Sequence, residues 1–150
     1  MESSAVAADS ILDNIKRQFD LKDMDIDSYS PLALAFIGDS VFDLVVKTVV
    51  VERSNCQASK LHRRSSSIVK AQSQSVMAGW FLDNDILTDE EQSVYRRGRN
   101  AKSPTTAKNA SVGDYRRATG IEALVGYLYL KNRTDRIVEL IRLGMQAVSE

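Results

Sequence analysis

The chain has 150 residues, 43% of them hydrophobic, which is enough for a single domain with a sizeable core. It has two prolines, seven glycines and one cysteine, Cys56, so long irregular regions are not expected, and an internal disulfide or a zinc site built on several thiolates is excluded. No basic region followed by an apolar run opens the chain, and no stretch approaches the roughly 20 apolar residues of a membrane span, so we expect a cytoplasmic protein without a membrane partner.

The first elements are a short amphipathic helix, an acidic loop and a long apolar helix. Apolar residues recur on one helical stripe over residues 11–19, after Asp9 or Ser10 as the cap, and residues 22–29 are predicted as a loop. Ser30-Pro31 is a strong helix start. The helix that follows, over residues 31–51, is apolar on nearly every side, which predicts the buried centre of a bundle. Its β-branched end would also fit a strand, but its length and its start favour a helix.

The rest of the chain is also predicted to be helical. One helix is expected over residues 57–82, followed by a turn over residues 83–87. Thr88 and Glu91 match a capping box that opens a helix to about Arg97, with Gly98 as its stop. After one long loop, over residues 99–113, the last two helices are expected over residues 114–131 and from a Thr134 cap to about residue 148. The pattern predicts an all-α compact bundle of about seven helices with no sheet.

Two carboxylates stand inside apolar helices. Asp39 directly follows Gly38, and Glu122 lies between Gly120 and Gly126, where a missing side chain lets another backbone approach closely. A buried carboxylate must be paired, protonated or bound to metal; the alternative for Asp39 is a wet edge of its helix, with an arginine as partner. A bundle can bring two such helices together, and two carboxylates suffice for Mg²⁺, which prefers oxygen ligands and keeps several waters.

Three other polar residues have simpler interpretations. Asp43 lies one turn after Asp39, and we expect it to pair with Lys47. His62 is the only histidine, and the sequence shows no partners for a Ser-His-Asp or Cys-His site, so we interpret it as structural or as a minor RNA contact. Cys56 is interpreted as a small apolar filler.

Basic side chains are concentrated in the middle of the chain. Residues 1–43 carry nine acidic and three basic residues, whereas residues 44–117 carry thirteen basic and seven acidic ones. Such a distribution can present a positive face to a polyanion, or it can be a set of solvated helix faces. Between residues 96 and 117, seven Lys/Arg accompany a single acid, which favours contacts with phosphate oxygens. The candidate residues are Arg96, Arg97, Arg99, Asn100, Lys102, Lys108 and Arg116.

Several motifs resemble one family. LALAFIGDSVFDL (32–44) resembles the signature helix of ribonuclease III, and GIEALVGYLYL (120–130) resembles the second acidic helix of that family. LHRRSS (61–66), RRGRNAKS (96–103), KNA (108–110) and YRRATGIEALVGYLYL (115–130) are similar to Mini-ribonuclease III, a bacterial subfamily with the nuclease domain and no double-stranded-RNA-binding domain. The resemblance implies one ribonuclease III-type catalytic domain over residues 1–150, with its core over about 30–145 and an N-terminal helix and acidic loop over 1–29.

The resemblance also implies an activity. Members cleave double-stranded RNA as homodimers with Mg²⁺, for which Mn²⁺ is a possible substitute. The subfamily matures the 23S ribosomal RNA precursor, aided by a large-subunit ribosomal protein. Asp39 falls on the catalytic aspartate, and Glu122 on the metal-binding glutamate. Ala35 and Thr119 stand where full-length enzymes have Glu and Asp, which leaves fewer protein ligands, so RNA phosphates are expected to complete the metal shell.

The basic loop then has a role, because A-form RNA is recognised through shape, 2′-hydroxyls and phosphates, and a nuclease domain alone must supply those contacts itself. A two-fold dimer would place one site against each strand. Two alternatives remain. One is a catalytically inactive module that binds structured RNA or a ribosomal partner, which Ala35 and Thr119 support. The other is a helical protein–protein adaptor, which predicts no salt-dependent RNA affinity.

Overall fold

The computed structural model describes residues 9–102 and 110–149, and over these ranges the chain forms seven α-helices and no strand. A single 3-10 turn, Ile26–Ser28, lies in the acidic loop. None of the helices in these ranges combines the length and apolar content that a membrane span requires. The all-α bundle predicted from the sequence is confirmed. The helices are α1 Ile11–Gln18, α2 Pro31–Arg53, α3 Ala58–Val69, α4 Ala71–Asp83, α5 Asp89–Asn100, α6 Val112–Leu130 and α7 Thr134–Ser149.

The helix starts follow from local chemistry. Ser10 caps α1 in a capping box with Asp13, and Ser30 accepts a hydrogen bond from a backbone N–H at the start of α2, with Pro31 as the first helical residue. Thr88 opens α5 in the predicted capping box. The predicted cap of α7 is displaced by one position, because Thr134 is already the first residue of that helix.

A bend at Lys70 divides the predicted helix over residues 57–82 into α3 and α4, so the expectation of one continuous helix was wrong. The backbone of Lys70 is extended, with φ −63° and ψ 156°. Side chains of α4 satisfy the carbonyl groups that α3 leaves open at its end: the Ser73 hydroxyl donates to the Ser67 carbonyl at 2.6 Å, and Nε2 of Gln74 donates to the Val69 carbonyl at 2.8 Å. These bonds replace the helical ones that the bend interrupts.

The central helix of the bundle is α6, which packs against α2, α4, α5 and α7. It buries ten consecutive or nearly consecutive residues between Ala118 and Leu128. The prediction that α2 is the buried centre was therefore wrong on one side of that helix. One face of α2 packs into the core through residues such as Phe42 and Val46, whereas Phe36 and Leu44 remain exposed.

The α5 helix continues past its predicted stop and is tied to α7. Gly98 lies inside α5 and does not end it. A β-carbon at this position would meet the Ala123 side chain and the Gly120 backbone, so the glycine allows α5 to pack closely against α6. At the other end, Arg136 of α7 donates to both carboxylate oxygens of Glu91 at 2.8 and 2.9 Å, and Glu91 is 1% exposed. The orientation of α5 is thus fixed at both ends.

Candidate active site

The site lies where α2 crosses α6. A β-carbon added to Gly38 would overlap the carbonyl oxygen of Glu122, and one added to Gly126 would overlap the carbonyl oxygen of Leu34. The two backbones therefore touch, as the glycines beside both acids predict. This close approach sets Asp39 and Glu122 next to each other on facing helices.

The carboxyl groups of Asp39 and Glu122 are near enough to share a hydrogen bond. Burial, followed by the charge and the hydrogen bond of Asp39, raises the pKa of Glu122 to about 8. Asp39 itself is on the exposed side of α2. The ion pairs found within residues 9–102 and 110–149 include none to Asp39, so no described arginine holds it there. The two acids predicted to converge do so.

This pair fits a hard divalent cation in part. Two crowded carboxylates that repel each other gain most from a cation between them, and their oxygens are what Mg²⁺ prefers. Among the described residues no cluster of three or more His, Cys, Asp or Glu side chains suits a metal ion, so a cation at this crossing would have only these two carboxylates as anionic ligands from the described protein. The side chain of Ala35 carries no oxygen, and the Thr119 hydroxyl donates to the Tyr115 carbonyl at 3.0 Å.

Gln74 also borders the carboxylate pair, and sequence reasoning missed it. The side chain comes from the first turn of α4, is 2% exposed, and directs Nε2 to within 3.4 Å of a Glu122 carboxylate oxygen. This hydrogen bond opposes the upward shift of the Glu122 pKa. In the sequence Gln74 is one of four consecutive polar residues, 72–75, and without knowledge of the bend at Lys70 nothing predicts which of them faces Glu122.

The predicted phosphate-contacting residues divide into three groups. Arg96, Arg97 and Asn100 are exposed and line a groove of about 600 Å³ with Pro31 and Ala101, here called the basic groove. Pro31 opens α2 eight residues before Asp39, so the groove lies about 12 Å along that helix from the carboxylate, at 1.5 Å per residue.

Arg99 is engaged within the protein, since its guanidinium lies 5.8 Å from the centre of the Tyr95 ring and donates to Asn100 at 3.2 Å. Lys102 and Arg116 are exposed, whereas Lys108 lies outside the described residues. Arg117 belongs to the basic stretch but not to the candidate phosphate contacts, and it donates to the Ser75 hydroxyl at 3.1 Å.

One turn after Asp39 on α2, the prediction that Asp43 pairs with Lys47 is confirmed, at 2.8 Å.

Comparisons with known proteins match the chain over most of its length. The family model described as Ribonuclease III domain matches residues 32–133. A Mini-ribonuclease 3 from Clostridium tetani is 40% identical over 129 residues, which cover 84% of this chain and 83% of that protein. A Mini-ribonuclease 3 from Thermoanaerobacter sp. is 43% identical over 123 residues, which cover 82% of this chain and 85% of that protein. A crystal structure of a protein from Fusobacterium nucleatum matches with a TM-score of 0.72 and 27% identity, covering 81% of this chain and 96% of that one.

Proposed function

Because the chain belongs to the ribonuclease III family, and within it to the Mini-ribonucleases III, we propose that this endoribonuclease hydrolyses phosphodiester bonds of double-stranded RNA with a Mg²⁺ ion held by Asp39 and Glu122. The observation that carries the proposal is the convergence of these two acids, 83 positions apart in sequence, at one helix crossing. Mn²⁺ is the expected substitute ion, since it shares the preference for oxygen ligands.

The chain's own residues have distinct tasks in this reaction. Asp39 and Glu122 would hold the cation, which when bound would activate the attacking water and stabilise the leaving oxygen. Glu122 must give up its proton to serve as a ligand, and the amide of Gln74 stabilises the resulting carboxylate. The exposed side of Asp39 leaves the pair open to a phosphate of the substrate.

The basic groove binds the RNA backbone. Its two arginines, Arg96 and Arg97, have exposed guanidinium groups on the helix that contacts α6 through Gly98. Guanidinium groups suit phosphate oxygens, and a duplex held through its backbone needs no base-specific contact. Asn100 lines the same groove and Lys102 follows it two residues later, whereas Arg116 is exposed in the first turns of α6. These three would add donors to phosphates, and Lys108 and Arg99 are assigned the same role from the sequence. The substrate we propose is the 23S ribosomal RNA precursor in the cytoplasm, with a large-subunit ribosomal protein as an auxiliary partner.

We propose further that the enzyme is a homodimer. On the exposed face of α2, Phe36 is 82% exposed, the highest value among the large hydrophobic side chains of the described residues, and Leu44 is 55% exposed. A two-fold contact through this face would bury both copies of Phe36. It would also bring the two Asp39 side chains, three residues further along each α2, to neighbouring positions that face opposite strands of a duplex.

A duplex-cleavage assay tests the proposed function. The parent protein with Mg²⁺ is expected to cut a double-stranded RNA, and neither Asp39→Asn nor Glu122→Gln should cut it at more than about a thousandth of the parent rate, because either change removes an anionic ligand. Asp43→Asn is the matched control, since Asp43 pairs with Lys47 one turn away and should leave cleavage unchanged.

The second candidate is an inactive module that binds structured RNA, and the absence of acids at Ala35 and Thr119 favours it. That candidate predicts salt-dependent binding of the duplex without cleavage by the parent or by any of the variants. Cleavage by the parent that disappears in chelator and in Asp39→Asn rejects it.

A further inference from the structure

Gln74 has a polar atom for which the described protein offers no partner. The side chain is 2% exposed, and within residues 9–102 and 110–149 no donor reaches its Oε1 atom, although this atom is buried. A buried amide oxygen without a hydrogen bond is destabilising, because it has lost its contacts with water and gained none within the protein. Such a group in a site otherwise built from carboxylates points to a donor that belongs to the ligand.

The orientation of the amide is determined by its neighbours. Nε2 donates to the Val69 carbonyl at 2.8 Å and lies 3.4 Å from a Glu122 carboxylate oxygen. The Val69 carbonyl can only accept, so the amide cannot be flipped without placing oxygen against oxygen there. The nitrogen therefore faces Val69 and Glu122, and the oxygen is left for another donor.

Building on the function proposed above, we propose that Gln74 is a positioning residue of the metal site, whose Oε1 atom accepts a hydrogen bond from a water of the cation bound by Asp39 and Glu122. Mg²⁺ keeps several waters when only two carboxylates bind it, and each of these waters needs an acceptor. The nitrogen, and not the oxygen, lies against Glu122, so the oxygen is set back from the carboxylates by the width of the amide, which suits a contact through water.

This role compensates for two absent acids. The side chain of Ala35 has no polar atom, and the hydroxyl of Thr119 donates its proton to the Tyr115 carbonyl. Neighbouring Ser75 is equally occupied, because Arg117 donates to its hydroxyl. Gln74, by contrast, has an amide oxygen without any partner among the described residues, and the bend at Lys70 sets this amide beside Glu122.

The test measures Mn²⁺ binding without RNA, by electron paramagnetic resonance of the free ion, together with the rise of the unfolding temperature on metal addition. Gln74→Leu is expected to weaken Mn²⁺ binding about tenfold, as does the loss of other outer-shell partners. Gln74→Glu restores an oxygen acceptor but not the donor to Val69, and is expected to bind Mn²⁺ at least as tightly as the parent. Ser73→Ala is the matched control, because it removes a hydrogen bond of the same bend without touching the site.

The outcomes separate two failures. Parent-like Mn²⁺ affinity of Gln74→Leu, or a loss in Gln74→Glu as large as that in Gln74→Leu, overturns the role of Gln74 and leaves it as a support of the bend. If Gln74→Leu does not fold, the comparison of Gln74→Glu with Ser73→Ala decides in the same way. If Asp39→Asn binds Mn²⁺ as the parent does, the two-carboxylate site itself is wrong, and the proposed function fails whatever Gln74 does.

Discussion

Gly38 of α2 and Gly126 of α6 face each other so closely that the Gly38 amide nitrogen lies 3.1 Å from the position of a β-carbon on Gly126. Gly126→Ala would force the helices apart, and we expect a loss of about 3 kcal/mol or more in the free energy of unfolding, together with the loss of RNA cleavage. Gly79→Ala in α4 is the control: nothing lies within 4 Å of its added methyl group, so it should stabilise the protein by about 0.5–1 kcal/mol. Urea denaturation measures both, and a parent-like midpoint for Gly126→Ala contradicts the direct backbone contact.

The metal-free protein should become less stable at high pH, where the buried Glu122 carboxyl loses its proton. Burial and the charge of Asp39 raise the pKa of Glu122 from 4.5 to about 8 in the folded state. A raised pKa means that the folded protein holds a proton that the unfolded chain has lost, so this stability is complete below about pH 4.5 and disappears as the pH rises through 8. Unfolding in chelator from pH 5 to 9 should show this decline in the parent and a smaller one in Glu122→Gln. Equal slopes would mean that Glu122 titrates normally.

The Glu91–Arg136 pair should be a main determinant of stability. Burial alone would raise the pKa of Glu91, but hydrogen bonds from Arg136 and from the Thr88 amide outweigh it and leave this pKa below its usual value. We expect Glu91→Gln to cost about 3–5 kcal/mol, because it removes the buried carboxylate from a partly buried ion pair and leaves Arg136 with only the half-exposed Glu139 as its described counter-charge. Glu139→Gln, which removes a half-exposed partner of the same arginine, should cost less than about 1 kcal/mol.

The Glu91–Arg136 pair should also make the protein less stable in acid. A pKa of Glu91 below that of the unfolded chain stabilises the protein above about pH 4.5, and this contribution is lost as the pH falls through the lower, folded value. Chemical denaturation at pH 7 and at pH 3 should therefore show a smaller loss for Glu91→Gln than for the parent.

Binding of RNA by the basic groove should be salt-dependent. Arg96→Ala and Arg97→Ala are each expected to weaken binding of a non-cleavable duplex and to lower the slope of log affinity against log salt by about one, the value for one lost phosphate contact. Arg142→Ala removes an exposed arginine of α7, which lines a different groove, and should change neither quantity. Fluorescence anisotropy over several salt concentrations measures the slopes. Identical slopes for all four proteins would exclude the basic groove as the RNA contact.

The exposed face of α2 should hold the dimer together. Phe36→Glu places a charge in the proposed interface, so sedimentation velocity should show a monomer where the parent is a dimer. Val76→Glu is the control, because Val76 is also exposed, at 53%, but lies on α4. A monomeric parent, or a dimeric Phe36→Glu, argues against this interface.

The sequence predicts those parts of the structure that depend on local chemistry. Caps at Ser10, Ser30 and Thr88 are found as expected, because each requires only a side chain and a backbone group within three residues. The meeting of Asp39 and Glu122 was predictable as well, since acids inside apolar helices must converge on something, and adjacent glycines mark a close helix crossing.

What sequence reasoning missed depends on contacts between distant segments. Nothing near Lys70 breaks a helix by itself; the bend exists because Ser73 and Gln74 satisfy the end of α3, and the position of Gln74 beside Glu122 follows from the bend. Gly98 has the composition of a helix stop, but packing against Ala123 makes it an interior residue. The exposure of Phe36 likewise could not be inferred from a helix that is apolar all round.

The anchoring of α5 has a geometric consequence for substrate selection. Arg136 clamps the helix at Glu91, and Gly98 rests against Gly120, two residues before Glu122. The guanidinium groups of α5 therefore stay at a constant distance from the carboxylates of Asp39 and Glu122. A duplex seated on this helix would present one phosphate, set by that distance, to the reacting centre, and the entropy of arranging the two contact regions is spent during folding, before any RNA arrives.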